Sequence, residues 1–188
     1  MKGLLITAAL IVTGTTVIAQ SPGPMRIELR PFAGAYVPTG KLADDFKTAV
    51  TGGAEAALEI TPRLHVLATG SWTNSHHKFA GMTNDRTNLW QYDVGAEFTV
   101  AEAPVGTWTF RPFVGLGGGG RTYDYQHAGM SSSTQLAGYA SIGHEALFGA
   151  IGIRCEARDY MSRYKSPLTT KTTNRNDRGF TFGVAFHF

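Results

Sequence analysis

The chain reads as an all-β protein, an eight-stranded antiparallel up-and-down transmembrane β-barrel. Three observations predict it. Extended segments that alternate apolar residues with small or polar ones recur along the chain. The connections between them alternate long and short. The last segment, Gly179 to Phe188, puts Phe180, Phe182, Val184, Phe186 and Phe188 on one face and Gly179, Thr181, Gly183, Ala185 and His187 on the other. Successive side chains of a strand point to opposite faces. A bulky apolar face opposite a small one suits a wall with lipid outside and a narrow, filled lumen inside.

The first residues read as a targeting segment. Met1-Lys2 carries a positive charge, Leu4 to Ile18 is apolar, and Val17-Ile18-Ala19 offers a cleavage site. Residues 1–19 are therefore expected to be a cleaved signal peptide. The apolar run falls short of the roughly 20 residues of a spanning helix. Residues 20–25 form a short spacer containing Ser21-Pro22-Gly23-Pro24, and residues 26–188 form the barrel domain. No later apolar run is long enough to cross a bilayer as a helix, and strands cross lipid only as a closed barrel, where every backbone polar group finds a partner. Charged residues make up 16% of the chain, against about 25% in soluble domains. The net charge of +3 falls by one when Lys2 leaves with the signal, too weak for nucleic acid. The single Cys155 has no internal disulfide partner and reads as a small apolar residue.

The first strand is predicted over about 26–37, with Pro31 near a strand end or bulge because it has no N–H to give. A polar loop, 38–51, leads to the second strand at 53–61. Thr61-Pro62-Arg63 turns the chain into the third, 64–74. Loop 75–87 precedes the fourth strand, 88–101. The turn Ala103-Pro104-Val105-Gly106 leads to the fifth, 107–123. Loop 124–132 precedes the sixth, 133–145, and residues 146–149 turn into the seventh, 150–160. The longest and most basic loop, 161–177, precedes the eighth. Four long connections at one end and three short turns at the other is the loop pattern of outer-membrane barrels.

Alternation assigns an interior charge network of Glu28, Arg30, Glu55, Glu59, Asp93, Glu97, Arg111, Arg154, Glu156 and Arg158. A lumen of eight strands is just wide enough for side chains to fill it. Charges enclosed there must pair, because unpaired burial costs several kcal/mol. Trp72, Trp90, Tyr92, Trp108, Phe110, Tyr123, Tyr125, Tyr160, Phe180 and Phe188 are expected as rim or outer-face aromatics. Arg163, Lys165, Lys171 and Arg175 of the last loop are candidate contacts for lipopolysaccharide phosphates.

No catalytic, cofactor or metal site is expected. His76-His77 lacks a third ligand nearby in sequence, and neighbouring strand residues point opposite ways. A lipid-modifying enzyme would need histidine beside a hydroxyl nucleophile. His127 lies near the serine cluster Ser131 to Ser133, but Ala128-Gly129 follow it, unlike the His-x-Ser-Asn pattern of the lipid A deacylases.

On the terminal Phe ladder and on Arg111-Pro112-Phe113-Val114-Gly115-Leu116-Gly117, which looks like a glycine-rich fifth strand, the chain resembles the OmpA/OmpX-type outer-membrane β-barrel family. The resemblance implies residence in the cell outer membrane. It implies that Phe180, Phe182, Val184, Phe186 and Phe188 are an assembly signal read by the barrel-assembly machinery, with periplasmic chaperones as escorts. Outer-membrane lipid and lipopolysaccharide are the expected surroundings. The leading expectation is a non-enzymatic structural or surface-interaction role through four outer loops. A narrow pore or carrier for small or apolar solutes is the alternative, and a lipid A-modifying enzyme the second. The oligomeric state is open.

Overall fold

The structure, a computed structural model, describes residues 26–76, 78, 86–126, 131–165 and 172–188. The expected signal peptide and spacer lie outside the described residues. The chain runs β1 (Ile27–Pro38), α1 (Lys41–Asp45), β2 (Ala49–Thr61), β3 (Leu64–His76), β4 (Arg86–Thr99), β5 (Ala103–Val105), β6 (Trp108–Tyr125), β7 (Ser133–Phe148), β8 (Ile151–Lys165) and β9 (Thr172–His187). Eight long strands pair antiparallel in the order β4-β3-β2-β1-β9-β8-β7-β6, and β4 pairs with β6 to close the barrel. The last strand pairs with the first, from Glu28↔His187 to Pro38↔Asp177.

The turn end is tight. Thr61 Oγ1 accepts from the Leu64 N–H at 3.1 Å. Gly106 and Gly149 sit at φ 63° and 60°, where glycine alone is unstrained. β5 departs from the expected simple turn: it folds back onto the start of β6 in the register Ala103↔Phe110 to Val105↔Trp108.

The loop end differs more from the sequence reading. The first loop carries α1, and the last hairpin keeps its ladder as far as Lys165↔Thr172. What read as a basic loop over 161–177 is therefore mostly strand. Thr, Asn, Asp and Arg at these positions satisfy a ladder as well as a loop, because the backbone supplies the hydrogen bonds. Pro31 lies inside β1 rather than near its end. The register to β9 passes from Leu29↔Phe186 to Phe32↔Gly183 with no pairing at Arg30 or Pro31. The missing N–H interrupts the seam without shifting it.

The outer wall is apolar. Val66, Trp72, Tyr92, Val94, Phe98, Leu116, Leu136, Ile142, Phe180, Phe182, Phe186 and Phe188 are exposed, and Val184 is half-buried between them. Aromatic pairs mark both rims: Trp72 with Trp90 near the loop end, ring centroids 6.3 Å apart, and Trp108 with Phe148 at the turn end, 5.3 Å apart. Three expected rim aromatics face the other way. Tyr123, Tyr125 and Tyr160 are buried in the lumen. β6 carries no bulge through its glycine run, so the parity that points Phe113 inward also points Tyr123 and Tyr125 inward.

Candidate functional site: the closed lumen

The lumen is closed at two levels by different chemistry. Nearer the turn end stands an ion-paired layer. Arg30 donates through Nε to Glu28 at 2.8 Å and through Nη1 to Glu55 at 2.8 Å, with Glu97 at 3.2 Å from Nη2. Arg154 bridges Glu97 and Glu145, and Arg158 bridges Glu55 and Glu156. Thr69 donates to the second oxygen of Glu55 at 2.8 Å. Two guanidiniums also lie on aromatic faces: Arg154 is 4.0 Å from the centroid of Phe113 and Arg158 is 4.6 Å from that of Tyr139. Nine of the ten residues assigned to the network by alternation are brought into the lumen. Seven of these, Glu28, Arg30, Glu55, Glu97, Arg154, Glu156 and Arg158, join this layer, while Asp93 stands above it.

Two of the ten do not join. Glu59 is half-buried beside the register shift between Glu59 and Thr61 and takes no part in the described ion pairs. Arg111 stands at the turn end, where its Nε lies 3.1 Å from the half-exposed Glu102. Its parity is inward, and it lines a small lumen pocket with Glu97, Glu145 and Arg154, below the ion pairs of the layer. Conversely, His65, Glu145 and His187 belong to the layer and were not assigned. His65 and His187 already sat on the polar face of their strands. Glu145 lies in the strand whose faces the sequence left unresolved.

Nearer the loop end, Arg121 is fully buried and ion-paired to Asp177. Its Nε and Nη2 donate to Gln91 Oε1 at 3.1 and 2.8 Å, and its guanidinium lies 4.4 Å from the Tyr160 ring centroid. Gln91 donates to Asp93 at 2.6 Å, and Tyr160 donates to the same carboxylate oxygen at 3.3 Å. Between the two layers a cavity of about 40 Å³ remains for water centres, bounded by Thr51, Thr69, Gln91, Arg121 and Arg158. That is room for one or a few waters.

Above Arg121 the plug becomes apolar. α1 drops Leu42 and Phe46 into the mouth, where they pack with Tyr36, Leu89, Tyr123 and Tyr125. Phe46 and Tyr123 have ring centroids 5.5 Å apart. Gly40, at φ 54°, turns the chain into the helix. The helix is strapped from three sides. Lys47 N–H donates to His76 O at 2.9 Å, Lys78 N–H donates to Asp45 O at 2.8 Å, and Arg175 meets Asp45 at 2.9 Å.

Arg175 is therefore a correction to the expected lipopolysaccharide set. It turns toward the lumen because it shares the odd-numbered face of β9 with Asp177 and Gly179, and α1 supplies its carboxylate. Arg163 is exposed near the end of β8, Lys165 is that strand's last residue, and Lys171 lies outside the described residues, as do His77 and His127. Cys155 is a free thiol, half-buried on the outer wall, in register with Phe182 and His144.

No protein-family model and no curated protein matches the sequence. Solved structures do. The N-terminal β-barrel domain of Pseudomonas aeruginosa OprF aligns with a TM-score of 0.55 at 14% identity, over 87% of this chain and 97% of that one. The fold is that of the OmpA/OmpX-type barrels. Neisserial surface protein A aligns with a TM-score of 0.56 at 12% identity, over 87% of this chain and 97% of the other. The outer membrane protein AlkL, solved in lipid bilayers, aligns with a TM-score of 0.53 at 11% identity, over 93% and 96%. In an OmpA/OmpX-type wall the apolar outer face and two aromatic rims described above meet lipid, and the lumen is the place left for charge.

Proposed function

We propose that the protein is a non-enzymatic outer-membrane barrel that does not conduct and serves a structural or surface-interaction role through its loop-end connections. The observation that carries this reading is the double closure of the lumen, by salt-bridged arginines below and by Leu42 and Phe46 above. Opening a path for solute would require both layers to move. Unpairing the lower one would strand buried charges at several kcal/mol each. The wall aromatics and the likeness to an outer membrane protein solved in bilayers support the location, and the likeness to a neisserial surface protein supports the surface role.

Arg163, Lys165 and Lys171 remain the cations of the sequence proposed to meet lipopolysaccharide phosphates, with Arg175 held back by Asp45. The outward ladder Phe180, Phe182, Val184, Phe186 and Phe188 is the surface offered to the assembly machinery and its chaperones. Planar-bilayer recording tests the central point. The barrel is expected to give no resolvable conductance steps, and steady unitary steps would overturn the reading. Mass spectrometry of lipid A from cells with and without the protein is expected to show no difference. Protease added to intact cells is expected to cut only at the loop end.

A further inference from the structure

We propose that Trp72 and Trp90, with Asn74, Asn88 and Asp124, form a saccharide-binding platform on the outside of the wall near the loop end. Its ligand is the sugar headgroup of an outer-leaflet glycolipid. The inference rests on the surface-interaction reading above and gives that reading a chemistry. The residues meet by register. Trp72 of β3 is opposite Trp90 of β4; one pair nearer the loops, Asn74 is opposite Asn88, and Asn88 opposite Asp124 of β6. The two indoles are 43% and 51% exposed, with their planes at 44° to one another. Gly70 lies beside Trp72 on the same face, and a Cβ there would meet nothing within 4 Å, so no side chain at that position covers the rings.

Polar groups border the rings in a fixed arrangement. Asn88 Oδ1 accepts from Trp72 Nε1 at 3.2 Å and from Asn74 Nδ2 at 2.9 Å, which sets the orientation of the indole and of the Asn88 amide. Gln126 Nε2 donates to Asp124 Oδ2 at 2.8 Å and orients that carboxylate. Thr122 Oγ1 lies 3.2 Å from Tyr92 OH and 2.8 Å from Thr134 Oγ1, which carries the polar border onto β6 and β7. A pyranose presents weakly positive C–H groups to the negative face of an aromatic ring, and its hydroxyls pair with amides and carboxylates. Ring faces edged by two asparagines and an aspartate match both halves of that molecule.

Two observations separate this patch from an ordinary aromatic girdle. A girdle runs around the whole wall. Near the loop end, however, β2, β7 and β8 present Val50, Leu136 and Met161 outward. In addition, the Trp72 N–H is spent on Asn88 rather than offered to the membrane boundary. The wall itself names the occupant. Immediately turnward, Val66, Val94 and Leu116 are exposed and apolar, the surface that acyl chains cover. A lipid lying there carries its headgroup at the platform. A glycolipid engages both surfaces, whereas a lipid without sugar engages only the lower one.

Fluorescence isolates the site, because Trp72, Trp90 and Trp108 are the three tryptophans of the chain. The Trp108→Phe barrel, folded in detergent, reports on the platform alone. Monophosphoryl lipid A is expected to shield it from iodide quenching, and phosphatidylglycerol, which also carries one phosphate, is not. In native mass spectrometry the same barrel is expected to retain monophosphoryl lipid A about tenfold over phosphatidylglycerol, and Trp72→Leu/Trp90→Leu, apolar but without rings, to lose that preference. Equal retention of the two lipids, or an unchanged preference in the double variant, overturns the proposal. The quenching measurement leaves the platform intact, so it decides alone should the double variant fail to fold: absence of shielding by monophosphoryl lipid A overturns the site. The closed lumen is tested separately by conductance, so failure here leaves that reading standing.

Discussion

Arg121 and Asp177, the one on the fifth long strand of the wall and the other on the closing strand, form a fully buried ion pair across the lumen beneath the apolar plug. Gln91 and Tyr36 complete it: Gln91 Oε1 accepts from Arg121, and Tyr36 OH donates to Asp177 at 3.5 Å. The pair joins strands that are not neighbours, so it braces the barrel across its diameter rather than along its wall.

Removing one partner should therefore cost far more than removing both. Asp177→Ala leaves the Arg121 guanidinium buried and unpaired, and a loss of about 3–5 kcal/mol is expected. The double variant Arg121→Met/Asp177→Leu should recover most of it. Urea unfolding in detergent micelles, followed by tryptophan fluorescence, measures both; equal destabilisation by the single and double variants would contradict the brace.

The plug is expected to be separable from the wall. Phe46→Ala empties the centre of the cluster formed with Tyr36, Leu42, Leu89, Tyr123 and Tyr125. Protease should then cut within 40–48 much faster than in wild type, while the barrel still shifts on SDS gels between boiled and unboiled samples. Conductance should stay absent, because the Arg30 and Arg158 layer remains below. Channel steps in this variant would show that α1 alone is the barrier.

Glycine has a definite place in β6. A Cβ at Gly117 would lie 2.6 Å from both Val94 O and the Tyr139 ring, whereas one at Gly70 would meet nothing within 4 Å. Gly117→Ala is expected to destabilise by about 1–3 kcal/mol through overpacking. Gly70→Ala should be close to neutral in the same unfolding assay.

The terminal aromatic should act in assembly more than in stability. Phe188 is 75% exposed, and its N–H donates to Ile27 O at 3.0 Å. Deleting it is expected to reduce the heat-modifiable fraction in membranes, while refolding into micelles proceeds. Normal insertion in cells would remove the assembly role.

Much of the wall was legible because lipid outside and charge inside enforce period-two alternation with little tolerance. The faces of Glu55, Asp93, Glu97, Arg154 and Arg158 followed from that rule alone. The loop end was harder to read. Asp177 sits among Thr172, Asn174, Asn176 and Arg178, a composition equally at home in a loop. Arg121 follows four glycines, which carry no side chain to show parity. Extending the odd-numbered inward face two residues beyond Gly179 reaches Asp177, and carrying it across the glycines from Phe113 reaches Arg121. The helix of the first loop left no such trace, since five residues make too short a period to detect. Its burial depends on Leu42 and Phe46 meeting Tyr36, Leu89, Tyr123 and Tyr125, which come from three strands.

The pairing of Glu28 with His187 has a consequence for how this protein enters a membrane. Partners at the two extremes of the chain give the seam the longest contact separation available, and such closures form late. Until β9 finds β1, each presents a row of unpaired N–H and C=O groups that hydrocarbon cannot satisfy. A partly built wall therefore has no stable place in the bilayer. Insertion and closure are therefore expected to be coupled, and a chain cut short before β9 is expected to lose the whole crossing, not one strand of it.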